Sequence, residues 1–478
     1  MSIPGLGQIP VQPPPSSTRT ITLQPCWEWR FEAPFVGNTS LTSTNPSSTA
    51  PGTSTSSNSK APSTRLTVRL LSGTAERDGT ELATGTPYTF VGQKSKILTW
   101  QGCQLEVSGP CEDYVAEMTP DENPAVQYLN LHFYLQKLRN AAAQPGARGV
   151  GPRVMVCGAP TSGKTSVVKS LLALATRSGM GCVGVGVDPK DGMLALPGTV
   201  GAAVFRGLMD VESGGISVGD TPSSGPAAVP SKVPVVYLYG RRKVEEESGA
   251  WREVCKKLAG AVKGRMTADE GTRRAGVVVD VPSLAKGGVD LLTGIAQDFD
   301  INIVVVLGSA RLNAELQKRL AGSKTSLGED VSIVALDRSE GVVEMDEAFL
   351  QQVRESAIKE YFFGGVKRTL SPATQQVDFG AVSIYRIPEV SEYLADEEVL
   401  EKIEPVPEMA HWTLAIMNAS VKDSIDTIRW STVMGFVYVA DVEPEKRRLK
   451  ILSPVSGRLG DRPLIWAHWP EPYINLLG

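Results

Sequence analysis

The chain has 478 residues, 41% hydrophobic and 21% charged, with 48 Lys and Arg against 52 Asp and Glu and a formal net charge of −4. That length suggests about three domains at ~150 residues each. The balanced charge excludes a dominating basic field, so any contact with nucleic acid needs a local patch or a partner subunit.

No segment reaches the ~20 apolar residues that span a bilayer. The Pro-rich start carries neither the basic nor the apolar region of a secretory signal, which points to a soluble intracellular protein with no membrane partner. Cys26, Cys103, Cys111, Cys157, Cys182 and Cys255 include no CxxC pair, a usage that suits reduced thiols in cytosol or nucleus. His132, His411 and His468 stand too far apart in sequence to suggest a His-based metal centre.

Residues 1–16 read as a disordered leader. The stretch 37–63 is almost entirely Ser, Thr, Pro, Asn and Gly and reads as a disordered loop insertion, because it buries too little apolar surface to offset its ordering entropy. A strand is expected over 20–35, and alternation resumes at 65–71, 87–91, 96–100 and 104–108. Short strands at this spacing predict an N-terminal antiparallel β domain over 1–121. Asn123 and Pro124 then open a helix to about 139, with Asn123 as the cap and Val126, Leu129 and Phe133 on one face.

From 153 onward strands and helices alternate: strand 153–157, helix 163–177, strand 182–187, an irregular stretch 192–232, strand 234–239, helix 248–262, strand 276–281, helix 286–297, strand 301–307, helix 310–320 and strand 331–336. Continuous apolar strands within such alternation predict a parallel sheet covered by helices on both faces, the central domain being 122–356. Beyond it, shorter mixed elements at 382–385, 412–417, 435–441 and 449–452 predict a small C-terminal α/β domain over 357–478.

The segment from Gly158 to Ser166 reads GAPTSGKTS and satisfies GxxxxGK[ST], the P-loop that binds a nucleoside triphosphate. Its glycines let successive backbone N–H groups turn toward phosphate. Lys164 supplies positive charge to the β and γ phosphates, Thr165 offers a hydroxyl to Mg²⁺, and the following helix aims its positive end at the same charge. An apolar strand before the loop and an amphipathic helix after it supply the required context. Asp188, at the end of the second strand, is a candidate for holding Mg²⁺ through water or for accepting a proton from an attacking hydroxyl; a turn residue is the plainer alternative. Arg311, Lys318 and Arg319 would form a phosphate lid, or else a solvated helix face. The short runs Arg241–Lys243 and Lys446–Arg448 are weak candidates for RNA contact.

Together, YLNLHFYLQKLR (128–139), the extended P-loop segment (151–166), VDPKDGMLALPGTV (187–200), VVVDVPSL (277–284), IKEYFFG (358–364) and EKRRLKILSPVSGRL (445–459) carry a family resemblance. The chain resembles eukaryotic polynucleotide 5′-hydroxyl kinases and, more closely, their fungal relative, the ATP-binding subunit of cleavage factor IA in pre-mRNA cleavage and polyadenylation. The resemblance implies a β domain, a P-loop domain and a C-terminal α/β domain. It also implies a nuclear location, ATP and Mg²⁺ as ligands, and a partner in the larger cleavage factor IA subunit that binds the RNA polymerase II tail, with other cleavage and polyadenylation factors around it and RNA met indirectly. By the same resemblance Glu28 and Lys94 hold the nucleotide together with Thr161, Ser162, Gly163, Lys164, Thr165 and Ser166; ATP that is held there and not consumed would fix the relative orientation of the first two domains.

Two departures separate this chain from the active kinases it resembles. Their acidic-x-Asp-x-x-Gln segment reads Gly186, Val187, Asp188, Pro189, Lys190, Asp191 here, and their Thr-x-Gly-Trp clasp reads Asp280, Val281, Pro282, Ser283. Phosphoryl transfer depends on positioning and charge neutralisation, so lost positioning and added carboxylates predict ATP that is bound but scarcely turned over. The alternatives are an active RNA 5′-hydroxyl kinase with Asp188 as its base, and a generic ATPase.

Overall fold

The computed structural model describes residues 18–35, 65–147, 149–190, 192–213, 234–284, 288–365, 369–389, 400–454, 456–457, 459–473 and 476. The expected leader, the Ser/Thr-rich insertion and Asp191 lie outside the described residues. Two compact units emerge, Met1–Glu76 with Glu81–Met118, and Arg77–Thr80 with Thr119–Gly478.

The strands of the N-terminal region are β1 (Arg19–Leu23), β2 (Glu28–Ala33), β3 (Leu66–Gly73), β4 (Glu76–Arg77), β5 (Thr80–Glu81), β6 (Pro87–Phe90), β7 (Gln93–Leu98), β8 (Cys103–Ser108) and β9 (Glu112–Ala116). They form two sheets, β1-β8-β3-β6 and β5-β4-β7-β2-β9. The single strand expected over 20–35 is two, broken at Cys26, whose φ of 68° no strand accommodates. Period-two patterning does the rest. Leu66, Val68 and Leu70 are buried while Thr67 and Arg69 are not fully so, and Phe31 of one sheet meets Phe90 of the other at 5.0 Å between ring centroids.

The second unit opens with α1 (Ala125–Ala142), β10 (Arg153–Gly158), α2 (Lys164–Arg177), β11 (Cys182–Gly186), β12 (Thr199–Phe205), β13 (Val235–Leu238), α3 (Ser248–Ala268), α4 (Glu270–Ala275), β14 (Val277–Asp280), α5 (Val289–Asp298), β15 (Ile303–Leu307), α6 (Ala310–Leu320), β16 (Ser332–Leu336) and α7 (Glu347–Phe363). Asn123 caps α1, its side-chain oxygen accepting from the Ala125 N–H at 2.9 Å. The sheet order is β13-β12-β11-β14-β10-β15-β16. Every strand runs one way except β12, which is antiparallel to both its neighbours.

The strand β12 corrects the irregular stretch expected over 192–232. The middle of its sequence TVGAAVF is built of small residues, which read as a weak pattern yet are buried in the sheet. Along β10, side chains alternate between two cores. Val154 and Val156 pack with Leu131 and Leu135 of α1 and Val168 and Leu171 of α2, while Met155 and Cys157 pack with Trp251 of α3 and Ile295 of α5. A strand buried on both faces is apolar along its length, and β10 is so from Val154 to Cys157 after the buried Arg153 that opens it.

The remaining strands, β17 (Ala373–Asp378), β18 (Ser383–Arg386), β19 (Glu401–Ile403), β20 (Thr413–Met417), β21 (Val433–Glu443), β22 (Arg448–Ser453) and β23 (Pro463–Trp466), with the short α8 (Ile425–Arg429), make a second seven-stranded sheet, β17-β22-β21-β20-β23-β18-β19. Residue 357 lies inside α7. Leu196, Val236 and Leu238 of the P-loop region share one apolar core with Phe362, Tyr385, Phe436 and Ile465, so the P-loop sheet and the C-terminal sheet belong to the same compact unit.

Candidate functional site

The strand β10 delivers the chain to the P-loop and α2 carries it away. Between them Thr161 has φ 49° and Gly163 φ 86°, the left-handed turns that swing backbone N–H groups inward. Gly158 has no room for a side chain: a Cβ there would stand 2.4 Å from the Leu307 carbonyl. Gly163 caps the N-terminus of α2, and no side chain among the described residues caps that end, so the orphan N–H groups of the first turn stay available to an anion. Ser162 is buried and its hydroxyl has no hydrogen-bond partner among the described residues. A buried hydroxyl left over inside a cradle of this shape fits a phosphate oxygen as its acceptor.

The Lys164 ammonium donates to the Ala159 carbonyl at 3.2 Å and to the Ser283 hydroxyl. Of its three N–H donors one is left for phosphate. Ser283 in turn donates to the Gly158 carbonyl at 3.3 Å, so this residue, in the segment after β14, is hydrogen-bonded to both ends of the loop. Thr165 donates to a carboxylate oxygen of Asp280 at 2.6 Å. Ser166 stands exposed in the first turn of α2 and its carbonyl accepts from Ser170 at 2.8 Å.

Asp280 ends β14, the strand next to β10. Burial pushes its pKa up to about 6, opposed by the Thr165 hydrogen bond and the Lys164 charge and reinforced by Asp188. Asp188, half-buried, also has a raised pKa, chiefly through burial, while the Lys190 N–H and Lys164 pull it down. That N–H donates to its carboxylate at 3.0 Å. One hydroxyl and two carboxylates under the influence of Lys164 form an all-oxygen donor set. Such a set fits Mg²⁺, which takes one or two carboxylates and fills its octahedron with water and phosphate oxygens.

The sequence placed Asp280 near the phosphates only as an adverse charge; the structure makes it the acceptor for the P-loop threonine. The legible signal was an apolar strand, VVVD, ending in a carboxylate, the pattern that supplies a Walker-B aspartate. Ser283 gave no signal beyond standing in place of an aromatic.

The remaining candidates lie on other elements of the fold. Arg311 pairs with Glu315 at 2.8 Å and Arg319 with Asp290 at 2.7 Å, while Lys318 is exposed; on α6 these form a solvated, ion-paired face. Lys446, Arg447 and Arg448 each meet an acid, Glu443, Glu404 and Asp378. Arg241 donates to Glu247 and to the Pro388 carbonyl and Arg242 pairs with Glu347 at 2.5 Å, so these two arginines are used inside the fold. In the first unit Glu28 is fully buried between Arg30, at 3.0 Å, and Lys96, while Lys94 pairs with Glu32 at 2.9 Å.

Family profiles match most of the chain. Residues 57–142 match the N-terminal β-sandwich domain of polyadenylation factor, 158–364 the P-loop of mRNA cleavage and polyadenylation factor CLP1, and 370–471 the pre-mRNA cleavage complex II protein Clp1. The mRNA cleavage and polyadenylation factor CLP1 of Chaetomium globosum is 51% identical, and those of Pyricularia oryzae and Neurospora crassa 48% and 47%, each alignment covering 100% of both chains. Among solved structures, a wild-type Clp1p–Pcf11p complex matches with a TM-score of 0.79 at 23% identity, over 95% of this chain and 98% of that one. A second, describing an extended interface between Pcf11p and Clp1p, gives the same TM-score at 24% identity. These likenesses carry the three-part fold expected from the sequence. With half-identical relatives aligned from end to end, this chain belongs to the Clp1 family of mRNA cleavage and polyadenylation factors.

Proposed function

We propose that this protein is an ATP-holding scaffold subunit of the nuclear machinery that cleaves and polyadenylates pre-mRNA 3′ ends, with little or no turnover of its nucleotide. The names of its full-length relatives support the processing role. The observation that carries the ATP reading is the closed polar circuit around the P-loop: Lys164 on Ser283, Thr165 on Asp280, and Ser162 buried with an unused hydroxyl.

In this reading backbone N–H groups of 158–166 and the start of α2 bind the phosphates, and Lys164 spans the β and γ groups. Thr165 and Asp280, with Asp188 nearby, would hold Mg²⁺, which when bound neutralises phosphate charge. By the resemblance Glu28 and Lys94 are further nucleotide contacts. What supports little turnover is the set of groups around the loop. A serine and a proline stand where an acceptor clasp is needed, and the Asp188 carboxylate is engaged by the Lys190 N–H. A misplacement of ~1 Å costs about 100-fold in such a reaction. A ligand that binds only the folded chain stabilises it by about 4 kcal/mol at 1,000 times its Kd, so unconsumed ATP serves as a structural component. The partner by this reading is the larger cleavage factor IA subunit that reads the RNA polymerase II tail, and the solved Clp1p–Pcf11p pairing supports a partner of that kind.

Two measurements test it. Nucleotide released by denaturing freshly purified protein should be intact ATP, bound in near-equal ratio to chain. Protein incubated with γ-labelled ATP, Mg²⁺ and a 5′-hydroxyl RNA should leave the RNA unlabelled. Label on RNA that disappears in Lys164→Ala would establish the RNA 5′-hydroxyl kinase instead, a reading favoured by the survival of Lys164, Thr165 and Asp188. Free phosphate without labelled RNA would establish a generic ATPase.

A further inference from the structure

The loop that follows β11 is held from two sides by indoles. Trp251 of α3 donates its ring N–H to the Val187 carbonyl at 2.9 Å. Trp469, from the C-terminal segment beyond β23, donates its ring N–H to the Lys190 carbonyl, also at 2.9 Å. Between these anchors lies Asp188, whose carboxylate accepts from the Lys190 N–H. Lys190 therefore carries both links: its carbonyl is fixed by Trp469, and its N–H sets the direction of the Asp188 side chain.

Trp469 is itself immobilised. It is 7% exposed, and its ring lies under two guanidinium groups, Arg242 at 4.9 Å and Arg354 at 4.8 Å from the centroid. Arg354 is buried and bonded to Glu347 at 2.7 Å and Glu471 at 2.8 Å. The backbone comes just as close: a Cβ on Gly198 would stand 2.5 Å from the Trp469 carbonyl, and the Gly198 N–H donates to the Pro189 carbonyl at 2.7 Å. An indole in this setting has little freedom to follow the loop; the loop must follow the indole. The two cation–π contacts add to the hold on the ring.

We propose that Trp469 is a positioning residue for the nucleotide site, acting through Lys190 on Asp188, so that the C-terminal segment tunes how tightly Mg²⁺·ATP is held. This rests on the reading that the P-loop binds ATP with Mg²⁺. Coupling of this kind is reciprocal. A partner that shifts the C-terminal segment changes nucleotide affinity, and bound nucleotide changes affinity for that partner by the same factor.

The test uses the full chain and reads the gain in ATP affinity that Mg²⁺ confers, as the ratio of Kd in EDTA to Kd in Mg²⁺. Trp469→Phe keeps the ring and removes only the N–H donor; it should shrink that gain about fivefold, the scale of one lost hydrogen bond, while leaving affinity in EDTA unchanged. Asp188→Asn should shrink it by at least as much, and the double variant should be no worse than Asp188→Asn, because both act along one path. If thermal melting shows Trp469→Phe unfolded, Arg242→Met, which loosens the ring from one face, carries the same measurement. An unchanged gain, or losses that add in the double variant, overturns the inference. A wild-type chain that takes up no ATP in either buffer overturns the underlying reading instead, and the two failures are told apart by that control.

Discussion

Thr165 and Asp280 are joined by a hydrogen bond of 2.6 Å across 115 residues of chain. The contact is imposed by the sheet: β14 runs parallel beside β10, with Val156 in register with Asp280, so the end of one strand faces the loop that leaves the other. The carboxylate is buried and its pKa is raised, to about 6, a condition that only a nearby cation or donor makes tolerable.

Asp280→Asn keeps the size and an acceptor oxygen but removes the charge. Affinity for ATP should fall about tenfold in Mg²⁺, the scale of a lost charge-assisted hydrogen bond, and should change little in EDTA. Calorimetric titration in both buffers checks this, and an equal loss in both would remove Asp280 from the proposed Mg²⁺ site.

Ser283→Ala removes the hydroxyl that Lys164 donates to. One hydrogen bond is worth about 1 kcal/mol, so retained ATP should fall severalfold while Lys164→Ala abolishes it. Chromatography of nucleotide released from equal amounts of each purified protein gives the order, and a Ser283→Ala protein with full occupancy would show the contact to be incidental.

His132 on α1 is buried, 3.4 Å from the Ser178 hydroxyl and under the influence of Arg139 and Arg177. Burial is the larger cause and the two arginines add to it, lowering its pKa to about 4. The folded ring stays neutral while the unfolded one protonates below about 6.5, so the unfolded chain binds more protons and stability is lost as pH falls from about 6.5 towards 4. Between pH 7 and pH 5 this one group should cost about 2 kcal/mol. Thermal melts of wild type and His132→Gln at both pH values should show a smaller acid-induced drop in the variant; identical drops would refute the assignment.

Arg429 of α8 is buried and donates to the Leu238 carbonyl at 2.7 Å and the Tyr239 carbonyl at 3.1 Å, at the end of β13. Burial lowers its pKa to about 10, so it stays charged at neutral pH. Arg429→Met should leave two buried carbonyls without these donors and destabilise the second unit by about 2–4 kcal/mol. The drop should be visible in melting temperature with nucleotide absent, and a variant as stable as wild type would show that water replaces the guanidinium.

Much of this architecture was readable from pattern. The alternation of Leu66, Val68 and Leu70 announced a half-buried strand, and runs such as IVVVL at 303–307 announced strands covered on both sides. β12 was not readable because Gly201, Ala202 and Ala203 carry so little apolar surface that their burial owes everything to the strands beside them. α4 and β9 were missed for a related reason: EGTRRA and EDYVA are short and mostly polar, and β9 buries none of its side chains fully, so no apolar period shows in either. Arg241 and Arg242 read as a basic run and are internal ties, since a sequence lists charges without their partners.

The sequence alone determined the phosphate cradle, because its parts are contiguous: glycines for the turn, a lysine and a threonine at the head of a helix, all within Gly158–Ser166, make a structure that local geometry enforces. Tertiary structure decided what faces that cradle. Asp280 and Ser283 reach it through the order of strands in a sheet, and Trp469 reaches Lys190 across 279 residues. Such pairings depend on which distant surfaces bury each other, and no periodicity within a segment records that choice.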